Sequence, residues 1–187
     1  MTWTPGTPVR LETKRLLIRS LGREDASERY RGWVRDRAVM GYLDRPMNLA
    51  RTRIGRTRPV ENRERFQLGI FLKDSGLHVG FVTIVCDAVN QRAEITPVIG
   101  ERDYWGDKVG FESSAAVIDF VFAELDVHKL FNAVDSRNSR AIFLAQSLGF
   151  RREAIYREHL RRGRDEWSDV CFFALLREHW RERKGAP

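Results

Sequence analysis

The hydrophobic positions change period several times along the chain, and each change marks an element. Leu16-Leu-Ile-Arg-Ser-Leu21 predicts a short strand, and Gly22-Arg-Glu-Asp25 a turn opening a helix to about Arg37, with Tyr30, Trp33 and Val34 on one face. Phe66 to Lys73 and Val79 to Cys86 predict two strands joined through Asp74-Ser-Gly76, a hairpin signal. Ala93 to Gly100 is strand-like too, but Pro97 has no N–H to give a ladder, so an edge, a bulge or a gap between strands is expected there. Next, Val117, Ile118, Val121, Phe122 and Leu125 recur at the spacing of a helix that packs on a sheet. Lys129 to Val134 returns to a strand, and Ser139 to Leu148 to a helix with Ala141, Leu144, Ala145 and Leu148 inward and Gly149 as its stop. Arg152 to Leu160 and Trp167 to Leu175 close the pattern as strands about Gly163. The sum is one α/β (α+β) domain, a mixed and mostly antiparallel sheet with helices on both faces.

Composition sets the scale of this domain. A chain of 187 residues buries roughly 70% of its unfolded surface in a single core. No apolar run approaches the length of a membrane span, and MTWTPGTPVR has no signal-peptide h-region, so a soluble, cytoplasmic protein with no membrane partner is expected. Cys86 and Cys171 sit in strand-like runs as small core residues, and the four scattered histidines offer no metal-ligand spacing. A net charge of +7 suggests an anionic partner. Seven arginines crowd the segment from Arg45 to Arg65, and a second cluster runs from Arg157 to Arg164. These are solvated loops or, since the guanidinium fork bonds such groups bidentately, recognition sites for phosphate or carboxylate. No recognition helix or basic face interleaved with aromatics points to a specific nucleic acid.

The stretch with chemical content follows the Pro97 strand: Asp103-Tyr-Trp-Gly-Asp-Lys-Val-Gly-Phe-Glu-Ser113. It is a loop that opens a helix, where unpaired N–H groups and the positive end of the helix dipole favour a phosphate. Alone it is a weak signal, because GxxxxGK[ST] and GxGxxG are both absent.

Its neighbours add to it. LETKRLLIRSL, AEITPVIG, the YWG loop, Leu125-Asp-Val-His-Lys129, Arg137-Asn138, Leu148-Gly-Phe150, Tyr156-Arg-Glu, Gly163, Asp169 and Glu178-His-Trp180 stand in this order along the chain. In that order the sequence resembles the GCN5-related N-acetyltransferase (GNAT) superfamily, most closely its Rim-type branch, from about Leu11 to Trp180. The resemblance implies residues 11–180 as the acetyltransferase domain between tails 1–10 and 181–187. It also implies that the fourth and fifth predicted strands, at 93–100 and 129–134, splay apart around a pantetheine arm, where a missing ladder donor costs little.

The resemblance implies further roles. Acetyl-CoA is the co-substrate, with no metal, and its acetyl group passes directly to a primary amine on a protein N-terminus, small molecule or amino sugar. Val98 and Ile99 bond pantetheine through their backbone. Trp105, Gly106, Asp107, Lys108, Val109, Gly110 and Phe111 hold the pyrophosphate, and Asn138 contacts the arm. Backbone N–H groups of the splayed strand stabilise the oxyanion. Glu94 is the candidate base, reached through water, because an amine of pKa about 8 to 10.4 must first lose a proton. On the acceptor side stand Trp33 and the arginines Arg51, Arg53 and Arg56, suited to an amine with an anionic portion. Homodimers are common among such relatives.

Two positions depart from the family. Ala145 stands where many relatives carry a tyrosine that protonates the leaving thiolate, which leaves Ser136, acting through water, as the candidate acid. Lys108 replaces the first glycine of the loop consensus, and it must take negative φ or strain the loop. These departures support a second reading, a catalytically weak acyl-CoA-binding or regulatory module.

Overall fold

The structure is a computed structural model that describes residues 3–43 and 62–185. Its eight strands are β1 (Arg10–Glu12), β2 (Leu16–Ser20), β3 (Arg65–Leu72), β4 (His78–Asp87), β5 (Arg92–Ile99), β6 (Lys129–Asp135), β7 (Arg151–Arg161) and β8 (Trp167–Leu176). They form one sheet in the order β1-β2-β3-β4-β5-β6-β8-β7. Every described neighbour pair is antiparallel except β5 with β6, which run parallel. The helices are α1 (Glu28–Arg35), α2 (Arg37–Met40), α3 (Val109–Glu124), α4 (Ser139–Ser147) and α5 (Arg177–Gly185). The predicted α/β architecture and element order hold, with β1, α2 and α5 added.

Strand alternation divides the core into two layers. On one face Ile70, Val82 and Ile95 meet Val117, Ile118 and Val121 of α3 and Leu148 beyond α4. On the other, Phe71, Phe81 and Val98 meet Tyr30, Trp33 and Val34 of α1 and Met40 of α2. Ser27 caps α1 by accepting the Tyr30 N–H at 3.2 Å, and Gly149 ends the α4 segment at φ +88°, a backbone value that glycine reaches without strain.

Both segments expected as tails are partly built into the domain. Trp3 packs on Phe66 and Phe120 at 5.5 and 5.6 Å between ring centroids, and Val9 is buried. At the other end α5 continues through residue 185, with Trp180 tilted against Phe122 at 5.3 Å between ring centroids and its indole N–H donating to Asp119 at 2.8 Å.

His78 is a buried titratable group of the α1 layer, 4.4 Å from the Phe71 ring centroid and 5.0 Å from that of Trp33. Burial, which penalises the imidazolium, lowers its pKa from 6.5 to about 4. The unfolded chain therefore binds the extra proton below pH 6.5, so stability is complete above that value and falls as the pH approaches 4. Chemical denaturation is expected to give about 1 kcal/mol less stability at pH 5.5 than at pH 7 from this group. A His78→Phe variant should lose that part of the slope, and an unchanged slope would place the acid sensitivity elsewhere.

Candidate active site

The site begins where the sheet opens. The β5–β6 ladder pairs Arg92 with Lys129, Ala93 with Leu130 and Glu94 with Phe131, and then stops although both strands continue. Which β5 groups face this wedge follows from the ladder on the other side. The Gly100 N–H donates to Val79 O at 2.9 Å, and the register with β4 runs without a shift from Gly80↔Ile99 to Asp87↔Arg92. In an antiparallel pair bonded positions alternate, so Thr96, Val98 and Gly100 face β4, while Ile95, Pro97 and Ile99 face the wedge.

Two wedge-facing oxygens are already engaged. Asn132 Nδ2 donates to Ile95 O at 2.7 Å, and Trp105 Nε1 donates to Ile99 O at 2.8 Å. Beyond the Asn132 bridge, the open edge of β5 therefore presents one carbonyl, Pro97 O, and one donor, Ile99 N–H. Pro97 stands where its missing N–H would point into the opening, as its sequence position suggested. Val98, expected to bond pantetheine, has its backbone in the β4 ladder and its side chain buried against α1, and the wedge-facing neighbour of Ile99 is Pro97.

A cavity of about 650 Å³, counted with its open mouth, fills the wedge. Its walls include Ser114 and Ile118 of α3, Ala145 of α4 and the following Leu148 on one face, and Tyr42 and Leu43 after α2 on the other. It thus passes between the two strands from one layer to the other. Asn132 Oδ1 and Ser114 Oγ line it as buried atoms without a partner, the kind of polar atom that a ligand or water completes. Asn138 lines it too; its Oδ1 accepts the Ala141 N–H at 3.1 Å as the α4 cap, so its amide nitrogen is the group left for a ligand.

At the outer end lies the anion loop. Gly106 takes φ +88° and Lys108 φ −68°, so the required positive φ falls on a glycine and Lys108 is unstrained. The Lys108 carbonyl accepts the first α3 bond, from Glu112 N at 2.8 Å, which leaves the N–H groups of Val109, Gly110 and Phe111 without an intrahelical acceptor. Asp107 bonds the Lys108 N–H at 2.5 Å and Arg15 at 3.2 Å. Arg15 and Thr13 also hold Glu112, at 2.8 and 2.5 Å, so the β1–β2 turn fixes the first turn of α3. Burial alone would raise the Glu112 pKa, but those bonds hold it below the ordinary carboxylate value. The Arg102 and Arg140 guanidinium groups lie 5.8 and 5.2 Å from the Trp105 ring centroid, adding positive charge beside the loop.

The remaining candidates separate. Glu94 is half-buried at the last rung of the ladder, between Val85 and Phe131. It shares the α1 face with Val98, one residue before Ile95 begins the cavity wall. Ser136 is exposed and outside that wall. Trp33, expected on the acceptor side, is buried in the α1 layer, its ring packed so closely on Gly100 that a Cβ there would lie 2.0 Å away. Its Nε1 donates to Glu101 at 2.9 Å, tying α1 to the end of β5. Arg51, Arg53 and Arg56 lie outside the described residues.

Behind the cavity is a group that sequence reasoning missed. Asp135, with a fully buried side chain, lies 2.6 Å from Arg162 and 3.3 Å from Arg137, and accepts from Ser168 Oγ at 3.1 Å. Burial works to raise its pKa, but bonds from the Arg137 side chain and backbone, the Arg162 charge and Ser168 outweigh it, and the carboxyl titrates below its ordinary range.

The chain is 24% identical over 173 residues to the uncharacterized N-acetyltransferase YnaD of Bacillus subtilis, covering 91% of this chain and 98% of that one. It is 27% identical over 176 residues to the uncharacterized N-acetyltransferase p20 of Bacillus licheniformis, covering 91% and 97%. Its fold matches the spermidine N-acetyltransferase of Vibrio cholerae, solved with CoA and spermine, at a TM-score of 0.76 and 19% identity, covering 90% of this chain and 99% of that chain. The family model for the acetyltransferase (GNAT) domain matches residues 15–151, so the chain belongs to the GNAT family and is an N-acetyltransferase.

Proposed function

We propose that the chain binds acetyl-CoA along the β5 edge and transfers its acetyl group directly to a primary amine that enters from the α1–α2 face. The observation that carries this reading is the wedge: an edge with one carbonyl, Pro97 O, and one donor, Ile99 N–H, leads from a helix-start anion loop into a cavity through the sheet. A flexible arm with amide groups is read at such an edge like an added strand. The N–H groups of Val109, Gly110 and Phe111 suit a pyrophosphate, and Asn138 orients the arm between them. Bound here, acetyl-CoA supplies an activated thioester. Glu94 takes the amine proton through water, in keeping with its place at the start of the wedge on the acceptor face. The order of motifs along the chain favours a Rim-type enzyme, and Arg51, Arg53 and Arg56 suit an acceptor with an anionic portion.

The test is thiol release from acetyl-CoA with spermidine, an alanine-starting peptide and a nucleotide-linked amino sugar, beside CoA binding by calorimetry. Turnover of any of these supports transfer to an amine. CoA binding without turnover on a wider amine panel would favour the second reading, an acyl-CoA-binding module.

Lys108 gives a separate test of the loop. Its backbone needs no glycine and its side chain is exposed at the start of α3, so its contribution is charge. Lys108→Gly is expected to weaken CoA binding about fivefold at low salt and less at high salt. Equal or tighter binding would assign the holding to the backbone alone.

A further inference from the structure

Arg162 follows β7, in a basic cluster whose members are otherwise candidates for solvated surface, yet its side chain is 13% exposed. Each of its nitrogens is engaged. Nη2 lies 2.6 Å from the Asp135 carboxylate and 3.4 Å from Tyr42 O, Nη1 donates to Gly41 O at 3.0 Å and Leu43 O at 3.3 Å, and Nε donates to Ser168 Oγ at 3.1 Å. The two ends of this arrangement belong to different walls of one cavity. Asp135 ends β6 beside the cap of α4, where its carbonyl accepts the Asn138 N–H at 2.9 Å. Tyr42 and Leu43 form the wall on the α1–α2 face. A planar fork serves these divergent acceptors together, whereas a single ammonium would satisfy the carboxylate and lose most of the carbonyls.

We propose that Arg162 is a positioning residue for the acceptor amine: by bridging Asp135 and the carbonyls of residues 41–43, it fixes the wall past which the amine reaches the thioester. This rests on the reading that the amine enters from the α1–α2 face. The interaction is with main-chain carbonyls, so it sets the width of the mouth without reading the side chains of that segment.

The test separates the ion pair from the carbonyl bridge. Arg162→Lys keeps a cation beside Asp135 and should shift Tm by no more than about 3 °C. With whichever of the three amines the wild type turns over best, it should raise the amine KM about tenfold while kcat and the CoA dissociation constant change less than about twofold. Arg162→Met, which also takes from the buried carboxylate its 2.6 Å cationic partner, should lower Tm as well, so that lysine rescues stability but not amine KM. An unchanged amine KM in Arg162→Lys, or a matching loss of CoA affinity, overturns the proposal. If the wild type turns over no amine of the wider panel either, the functional reading fails on its own, and amide hydrogen exchange decides the positioning role. Faster exchange in residues 38–43 of Arg162→Lys with unchanged exchange in 105–112 supports it, and unchanged exchange in 38–43 overturns it.

Discussion

An Asp135→Ala variant is expected to lose about 3–5 kcal/mol of unfolding free energy, seen as a fall of about 6–20 °C in Tm for a chain of this length. The side chain is fully buried and faces two guanidinium groups and a serine hydroxyl, so its removal leaves Arg162 buried without its counter-charge. Breaking one partner of such a pair costs far more than the pair contributes against an apolar replacement. The sign with pH follows from the lowered folded pKa. Asp135 contributes its stability above the ordinary carboxylate pKa near 4, and the contribution is lost as the pH falls through the lower folded value, where the native carboxylate is protonated too. Between pH 4 and pH 2 the wild type should therefore lose stability more steeply than Asp135→Ala. A loss below about 1 kcal/mol would mean that this carboxylate behaves as a surface ion pair.

Ala145→Tyr is expected to raise kcat at least about tenfold with little change in CoA affinity. Ala145 lines the cavity, seven residues after Asn138, at the position where the family resemblance implies a tyrosine acting on the leaving thiolate. A positioned general acid contributes about 10²- to 10⁴-fold. The gain here is set lower because a thiolate of pKa about 8.5 leaves with little help. Because Ser136 is exposed and outside the cavity wall, the variant would introduce a proton donor rather than duplicate one. Thiol release and calorimetry on the same protein decide the matter. A hundredfold loss of CoA affinity with no rate gain would identify the space beside Ala145 as the bed of the arm rather than a place for an acid.

Local chemistry explains which parts of this protein were legible in the sequence. Asp74-Ser-Gly76 gave the β3–β4 hairpin because turn residues act within a few positions, and Gly149 marked the end of the α4 segment because positive φ is a local demand. Pro97 announced the wedge, since a residue without N–H is confined to places where no ladder bond is needed. That the backbone of Pro97, and not that of Val98, looks into the wedge is a matter of parity. Which face of a strand's backbone looks outward depends on the register with β4, and register is a tertiary fact. Trp33 shows the same limit: an aromatic on an amphipathic helix marks a buried face, and only the folded chain shows that its ring packs on Gly100. Lys108 proved unstrained because the positive φ fell on Gly106, two positions earlier. Asn132, Ser114, Tyr42 and Arg162 carried no motif at all. They come from α3, β6, the turn after α2 and the end of β7, and only the folded sheet brings them around one opening.

That opening has a consequence for solubility. Two parallel strands that part company leave bare backbone inside a sheet, and bare backbone is a template on which a stray strand from another molecule can add. Between Ile95 and Ile99, β5 offers such a visitor little continuity. The Asn132 amide occupies one oxygen, the Trp105 indole another, and a proline interrupts the row of donors. What remains, one carbonyl and one donor, is too few groups for a continuous added ladder.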